Sequence, residues 1–176
     1  MKVVTISGRS GHGKDTTAKF IAKALMLEGH RVLITHFADL LKYICKEFFR
    51  WDGQKDEAGR ELLQTIGTNM IREIDPDYWV DFMTFAIGLS EDEWDYVIIP
   101  DARFPNEVSR IEEAGFDVIN IRVERPGFIN GLTDTQNNHP SETSIDKIKP
   151  DYIITNDCPM YRYQKQITKW TKENLL

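Results

Sequence analysis

Val3-Val4-Thr5-Ile6-Ser7-Gly8-Arg9-Ser10-Gly11-His12-Gly13-Lys14-Asp15-Thr16-Thr17 is the stretch on which the fold turns. Val3 to Ile6 is a short apolar run, suited to a central strand buried on both faces. From Gly8 to Lys14 the chain matches the first seven positions of the GxxxxGK[ST] pattern. Beyond it Ala18, Ile21, Ala22 and Leu25 recur at helical spacing, Lys19 and Lys23 face away, and Gly29 supplies the stop. Strand, glycine-rich turn and helix, in that order, are the context in which the pattern cradles phosphate. Glycines let the backbone curl until successive N–H groups point inward, and the helix presents its positive end to the same charge.

The expected phosphate ligands are therefore Gly8, Ser10, Gly11, His12, Gly13, Lys14, Asp15, Thr16 and Thr17. Ser10 and His12 need supply only their backbones, and Lys14 has the reach to follow the terminal phosphates. Asp15 departs from the pattern, because a Ser or Thr hydroxyl normally holds Mg²⁺ there. It could bind the metal directly or through water, or Thr16 or Thr17 could take over the task. The preferred arrangement sets Thr16 beside the metal and Asp15 one layer further out.

Outward from this unit, strands and helices alternate. Arg31 to Phe37 is a second strand candidate and Ala38 to Arg50 a helix; Asp56 to Ile74 is helical, with Leu62, Leu63, Ile66 and Met70 on one side. Asp75-Pro76 reads as a cap and first turn, opening a helix to about Leu89 with Trp79, Phe82, Met83 and Ala86 as core. Tyr96 to Ile99 is a third strand ended by Pro100-Asp101. Pro105 to Ala114 is a helix closed by Gly115, Phe116 to Val123 a fourth strand, Asp151 to Thr155 a fifth, and Met160 to Asn174 a final helix. The expected class is α/β, a five-stranded parallel sheet with helices on both faces, in one domain spanning residues 1–176.

Ligands in such sheets sit at the carboxyl ends of the strands. Those ends are Ser7-Gly8, Phe37-Ala38, Asp101 to Arg103, Arg125 and Asn156-Asp157, so the polar residues gather on one rim. Asp101 follows an apolar strand and can hold Mg²⁺ through water, making Asp15, Thr16 and Asp101 the candidate metal set. Arg103 is placed to neutralise a transferring phosphoryl group, with Glu107 one turn later to orient it; an Asp101–Arg103 surface pair is the plain alternative. Lys14, Arg103 and Asp15 are the catalytic candidates.

Residues 38–90 form the candidate acceptor region. Arg60, Gln64 and Gly67 share a helical face, since spacings of three, four and seven return to the same side. Arg60 offers a planar fork for phosphate, Gln64 a donor and an acceptor for a base edge, and Gly67 a close approach by a ligand or another backbone. A solvated face with a packing glycine fits the same spacing. Arg72 is either a phosphate ligand or the partner of Glu73, Asp75 or Asp77. Asp39 and Lys42 open the helix after the second strand, with surface charge the reading for Lys42.

Residues 126–149 lack clear periodicity, as lids and disordered loops do. No arginine occurs between Arg125 and Lys147, so an arginine clamp has to come from Arg9, Arg60, Arg72, Arg103 or Arg125. His139, Ser141 and Glu142 are conspicuous there, although spacing alone favours a simple turn around Pro140.

The composition, 41% apolar and 28% charged, is that of a soluble globular protein. A formal net charge of −6 argues against a general nucleic-acid surface, though not against a basic pocket. No run approaches the ~20 apolar residues that span a bilayer, and the opening strand leaves no charged leader for secretion. Cys45 and Cys158 are far apart and read as reduced thiols. The expectation is a cytoplasmic protein with no nucleic-acid or membrane partner; nothing in the chain speaks to oligomeric state.

Together these segments resemble the phage-type deoxynucleoside monophosphate kinase family. The resemblance is carried by Gly13-Lys14-Asp15, by Ala38-Asp39-Leu40-Leu41-Lys42, and by Leu62-Leu63-Gln64-Thr65-Ile66-Gly67-Thr68 with Arg72 and Trp79. Asp101-Ala102-Arg103-Phe104-Pro105-Asn106-Glu107 is its most specific block, and His139-Pro140-Ser141-Glu142 resembles the HxSE segment of the lid. It implies a P-loop kinase fold, ATP and Mg²⁺ at the phosphate loop, a nucleoside monophosphate near Arg60 and Trp79, and the host cytoplasm if phage-encoded. It strengthens Arg60, Gln64, Arg72 and Arg103 as site residues and brings in His139, Ser141 and Glu142 with no task for them; with Asp39, Gly67, Trp79, Glu107 and Arg125 these make up the candidate substrate-side residues. Animal-type phosphomevalonate kinases are similar in the GKD loop, and dephospho-coenzyme A kinases share the broader fold. A kinase for another phosphorylated metabolite, or a nucleotide-binding module that transfers nothing, is the alternative.

Overall fold

The computed structural model describes residues 1–176. Its centre is a five-stranded parallel sheet of β1 (Lys2–Ser7), β2 (Val32–Ile34), β3 (Tyr96–Ala102), β4 (Asp117–Glu124) and β5 (Tyr152–Thr155), in the order β2-β3-β1-β4-β5. β1 pairs with β3 on one side and β4 on the other. The phosphate loop thus leaves the middle of the sheet, and the order reverses at that point, where such sheets open a crevice.

Alternation along β1 sends its side chains into two cores. Val4 and Ile6 pack with Ala18, Ile21 and Leu25 of α1 (Lys14–Leu27) and with Tyr163 and Ile167 of the last helix (Met160–Asn174). Val3 points the other way, joining Val97 and Ile99 of β3, Ile111 of the helix Asn106–Glu113, and Val80, Met83 and Ile87 of the helix Tyr78–Leu89. A third cluster, Leu41, Cys45, Trp51, Ile66 and Trp79, ties α2 (Ala38–Phe49) to the helical region after it.

Several boundaries differ from the pattern reading. The second strand keeps only Val32–Ile34. Asp75 does not cap the fourth helix; its carboxylate accepts the Asp77 amide in a local turn, and the helix opens at Tyr78. Phe82 is 45% exposed, while Val80 and Ile87 fill the core positions instead. Asp56 does cap α3 (Glu57–Gln64), accepting the Gly59 amide at 2.8 Å. Beyond Gln64 the winding widens into a π-helical segment, Thr65–Arg72. The extra residue per turn rotates Met70 out to 52% exposure and turns Ile71 toward the third cluster. The region 126–149 is not a plain loop: it holds short helical turns at Asp134–Asn137, Pro140–Thr143 and Ser144–Lys147. No helix is long and apolar enough to cross a membrane.

Candidate active site

The phosphate loop is shaped by glycines where no other residue fits. Gly8 has φ +145°, and a Cβ on it would lie 2.4 Å from the Val123 carbonyl oxygen. Gly13 caps α1 in the left-handed conformation, with the Asn156 amide where its Cβ would be. Lys14 is buried and curls back, its Nζ donating to the Gly8 carbonyl at 2.6 Å and the Arg9 carbonyl at 3.0 Å. Burial, with the Arg103 charge behind it, lowers its pKa to about 8.

A cavity of about 320 Å³ opens beside this loop, within the range of small-ligand sites. Ser10, Gly11, Lys14 and Asp15 form one end of its wall. Arg60, Gln64, Gly67, Arg72 and Trp79 line it from the helical region, Asp101, Arg103 and Glu107 from the end of β3, and Ser141 and Glu142 from the 126–149 region. Chain elements far apart in sequence thus place Arg60, Arg72 and Arg103 around one space with Lys14.

Glu107 does not orient the Arg103 guanidinium. One of its carboxylate oxygens accepts the Arg103 amide at 2.6 Å and the Phe104 amide at 3.1 Å, and the other pairs with Arg72. Arg72 therefore has neither Glu73, Asp75 nor Asp77 as its partner, and its guanidinium stacks on the Phe104 ring at 4.1 Å. Arg103 pairs with Glu142 and donates to the Ser141 carbonyl at 2.8 Å, so no Asp101–Arg103 pair forms. Asp101 instead accepts the Phe37 and Ala38 amides at 3.0 and 3.1 Å, capping α2. Gly67 lets Leu41 pack close, where a Cβ would meet Leu41 Cδ2 at 2.5 Å, and its carbonyl accepts the Trp79 indole N–H at 2.9 Å.

Other expected residues lie elsewhere. The Thr17 hydroxyl is buried between the Gly13 carbonyl and the Tyr163 hydroxyl, at 2.9 and 2.6 Å, because four residues past Gly13 the helix has already turned toward the core. Thr16, Gly8, His12 and Gly13 are not on the cavity wall, and the His12 carbonyl accepts from Asn156 at 3.0 Å. Arg125 stacks on Phe128 at 4.4 Å, away from the cavity that Arg60, Arg72 and Arg103 line. The sheet order explains this, since β4 flanks β1 on the side opposite β3. Asp39 stays outside as well, binding Lys42 at 2.7 Å and the His36 ring at 3.3 Å. His139 caps the turn that carries Ser141 and Glu142, accepting the Ser141 amide at 3.2 Å, and its ring reaches Asn69 at 3.4 Å.

His36, Lys42, Lys55, Thr68 and Phe104 line the cavity too. His36 bonds to Asp15 at 3.1 Å. That bond raises the His36 pKa and lowers that of Asp15. Lys55 and Arg60 have no hydrogen-bond or ion-pair partner among the protein's side chains. Burial and the nearby Lys42 lower the Lys55 pKa. Lys42, Thr68 and Phe104 stand in the blocks that carry the resemblance, although Lys42 by itself reads as surface charge; His36 and Lys55 have no such signal.

Asp15 and Asp101 bring carboxylate oxygens to one wall beside the loop, and no cluster of three or more His, Cys, Asp or Glu forms a closed cage. That donor set suits Mg²⁺, which takes one or two carboxylates and completes its octahedron with phosphate oxygens and water.

Solved structures of like shape include kinases. The chain superimposes on APS kinase CysC of Mycobacterium tuberculosis with a TM-score of 0.53 at 16% identity, covering 98% of this chain and 97% of that one. It superimposes on shikimate kinase of Aquifex aeolicus with a TM-score of 0.51 at 14% identity, covering 98% of each. At such identities the likeness establishes a P-loop kinase fold. In sequence, the chain is 33% identical over 100 residues to the deoxynucleotide monophosphate kinase of Enterobacteria phage T4, a match spanning 56% of this chain and 39% of that enzyme's length. The family model for deoxynucleotide monophosphate kinase matches residues 41–167, from the third core cluster through the Asp101–Glu107 block and the short turns of residues 134–147 into the last helix. The chain belongs to the deoxynucleotide monophosphate kinase family.

Proposed function

We propose that this protein transfers the terminal phosphoryl group of ATP to a deoxynucleoside 5′-monophosphate, giving ADP and the deoxynucleoside diphosphate. The carrying observation is the continuity of one cavity from the loop residues Ser10, Gly11 and Lys14 to Arg60, Gln64, Arg72 and Trp79, with Arg103 on the same wall. Family membership supports the acceptor class, and a kinase of this fold solved with the ATP analogue AMPPNP supports the donor.

In this reading an acceptor phosphate oxygen attacks the γ-phosphorus, the bond to the β,γ-bridging oxygen breaks, and ADP leaves with that electron pair. The monoester oxygen is already ionised at neutral pH, so no general base is required, and positioning with charge neutralisation carries the reaction. Lys14 and the loop amides hold the donor phosphates. Arg60 and Arg72 hold the acceptor phosphate, Gln64 meets the base edge, and Trp79 walls the site. Arg103 neutralises the group in flight. Asp15 and Asp101 would hold Mg²⁺, which neutralises phosphate charge when bound. The reaction belongs to the cytoplasm, and the chain acts there as one domain without nucleic-acid or membrane partners.

The test is coupled ADP release with a panel of deoxynucleoside and ribonucleoside monophosphates, phosphomevalonate and dephospho-coenzyme A. Acceptor-dependent ADP with at least one deoxynucleoside monophosphate is expected. ADP formed equally without acceptor, or only with a non-nucleotide acceptor, would sink the reading.

A further inference from the structure

We propose that Glu142 is a resident stand-in for a donor phosphate: its carboxylate occupies the Ser10 amide of the phosphate loop and has to leave when nucleotide enters. The inference rests on the reading of the loop as an ATP site and assigns a task to the His139–Glu142 segment within it.

The carboxylate holds two donors that a phosphate would use. One oxygen accepts the Ser10 backbone N–H at 3.1 Å, and the other pairs with the Arg103 guanidinium. Ser10 lies inside the glycine-rich turn, where amide groups turned toward an anion are the purpose of the local geometry. Glu142 is only 4% exposed, and a glutamate is rarely so buried unless paired. Burial pushes its carboxyl up, but Arg103, the Ser10 amide and Lys14 together hold it below the usual range, so it is an anion at neutral pH. Lys14 meanwhile satisfies its ammonium on the loop's own carbonyls.

The segment is built to deliver this acid. Pro140 opens a single turn of helix, the His139 side chain caps it through the Ser141 amide, and the Ser141 carbonyl adds a second hold on Arg103. The segment brings no arginine or lysine of its own to the loop, since Lys147 is the first basic side chain after Arg125 apart from His139.

The Ser10 amide offers a single N–H, and the Glu142 carboxylate on it repels an incoming phosphate, so the apparent affinity for nucleotide is reduced by the fraction of molecules in which that amide is free. Isothermal titration of the full chain with AMPPNP, without acceptor, tests this on the wild type, Glu142→Gln and Glu142→Asp. The aspartate keeps the charge but withdraws it by one methylene from Ser10. Both variants are expected to bind about tenfold tighter than wild type. Tightening in Glu142→Gln alone would mean a diffuse charge effect and overturn the proposal, as would unchanged or weaker affinity in both variants. If Glu142→Gln does not fold, Glu142→Asp decides alone. If neither wild type nor variants bind AMPPNP, the ATP reading fails and the inference goes with it.

Discussion

Arg72 reaches from the end of the π-helical segment to Glu107, and the two form an ion pair whose side chains are 11% and 2% exposed. Glu107 uses its other oxygen to hold the Arg103 and Phe104 amides. One buried acid thereby sets both Arg72, on the cavity wall, and the backbone from which Arg103 springs. Replacing Glu107 by Ala leaves a buried guanidinium uncompensated and is expected to cost about 3–5 kcal/mol of stability. The double replacement Arg72→Met with Glu107→Met is expected to recover most of that loss in urea denaturation while leaving the acceptor KM raised. A single Glu107→Ala change with near-normal stability would refute the structural half of this claim.

Lys14 gives the protein a pH signature. Its folded pKa, about 8, lies below the ordinary 10.5. Between those values the unfolded chain holds a proton that the folded chain has released, so this group's contribution to stability rises with pH through that window and levels off above it. Nucleotide affinity runs the other way. Once the ammonium is neutral its charge has to be restored on binding, and the AMPPNP dissociation constant is expected to grow above pH 8, approaching tenfold per unit. Lys14→Arg keeps the charge and should flatten the profile. A flat wild-type profile to about pH 10 would contradict the assignment.

Removal of the charge altogether has a kinetic consequence. Lys14→Ala is expected to lower turnover by roughly two or more orders of magnitude, the scale of a lost phosphate clamp, with circular dichroism unchanged. Turnover within a few-fold of wild type would remove Lys14 from the machinery.

Gly8→Ala puts a methyl group 2.4 Å from the Val123 carbonyl oxygen at a positive φ. Neither the loop nor β4 yields easily there, because the contact is with backbone. The expected outcome is a loss of about 1–3 kcal/mol and weakened AMPPNP binding. Thermal denaturation and titration read the two effects separately, and an unaltered melting temperature would show that the loop relaxes freely.

Lys55 and Arg60 line the cavity without carboxylate partners. Cations gathered in this way carry a mutual repulsion that a phosphate relieves. Lys55→Met and Arg60→Met are each expected to raise the acceptor KM about tenfold or more, in line with one lost charge-assisted contact of about 1.5–3 kcal/mol, with stability equal or slightly higher. An acceptor KM unmoved by either change would leave these side chains as solvated surface charge.

The sequence by itself determined the phosphate loop, the alternation of strand and helix, and the gathering of polar residues on one rim. All three depend on neighbours in the chain: glycines at fixed offsets, apolar periods, and the rule that parallel strands end on one side. It also marked Arg60, Gln64 and Arg103, whose spacing returns them to a common face or rim. Tertiary structure decided the partners. Ser10 meets Glu142 across 132 residues and Arg72 meets Glu107 across 35, encounters that follow from the order β2-β3-β1-β4-β5 and that no local period encodes. That order also carried Arg125 to the far flank of the loop. The π-helical widening after Gln64 exchanged Met70 for Ile71 because the packing of Leu41 and Trp79 around Gly67, not the intrinsic α-helical period, sets the winding there.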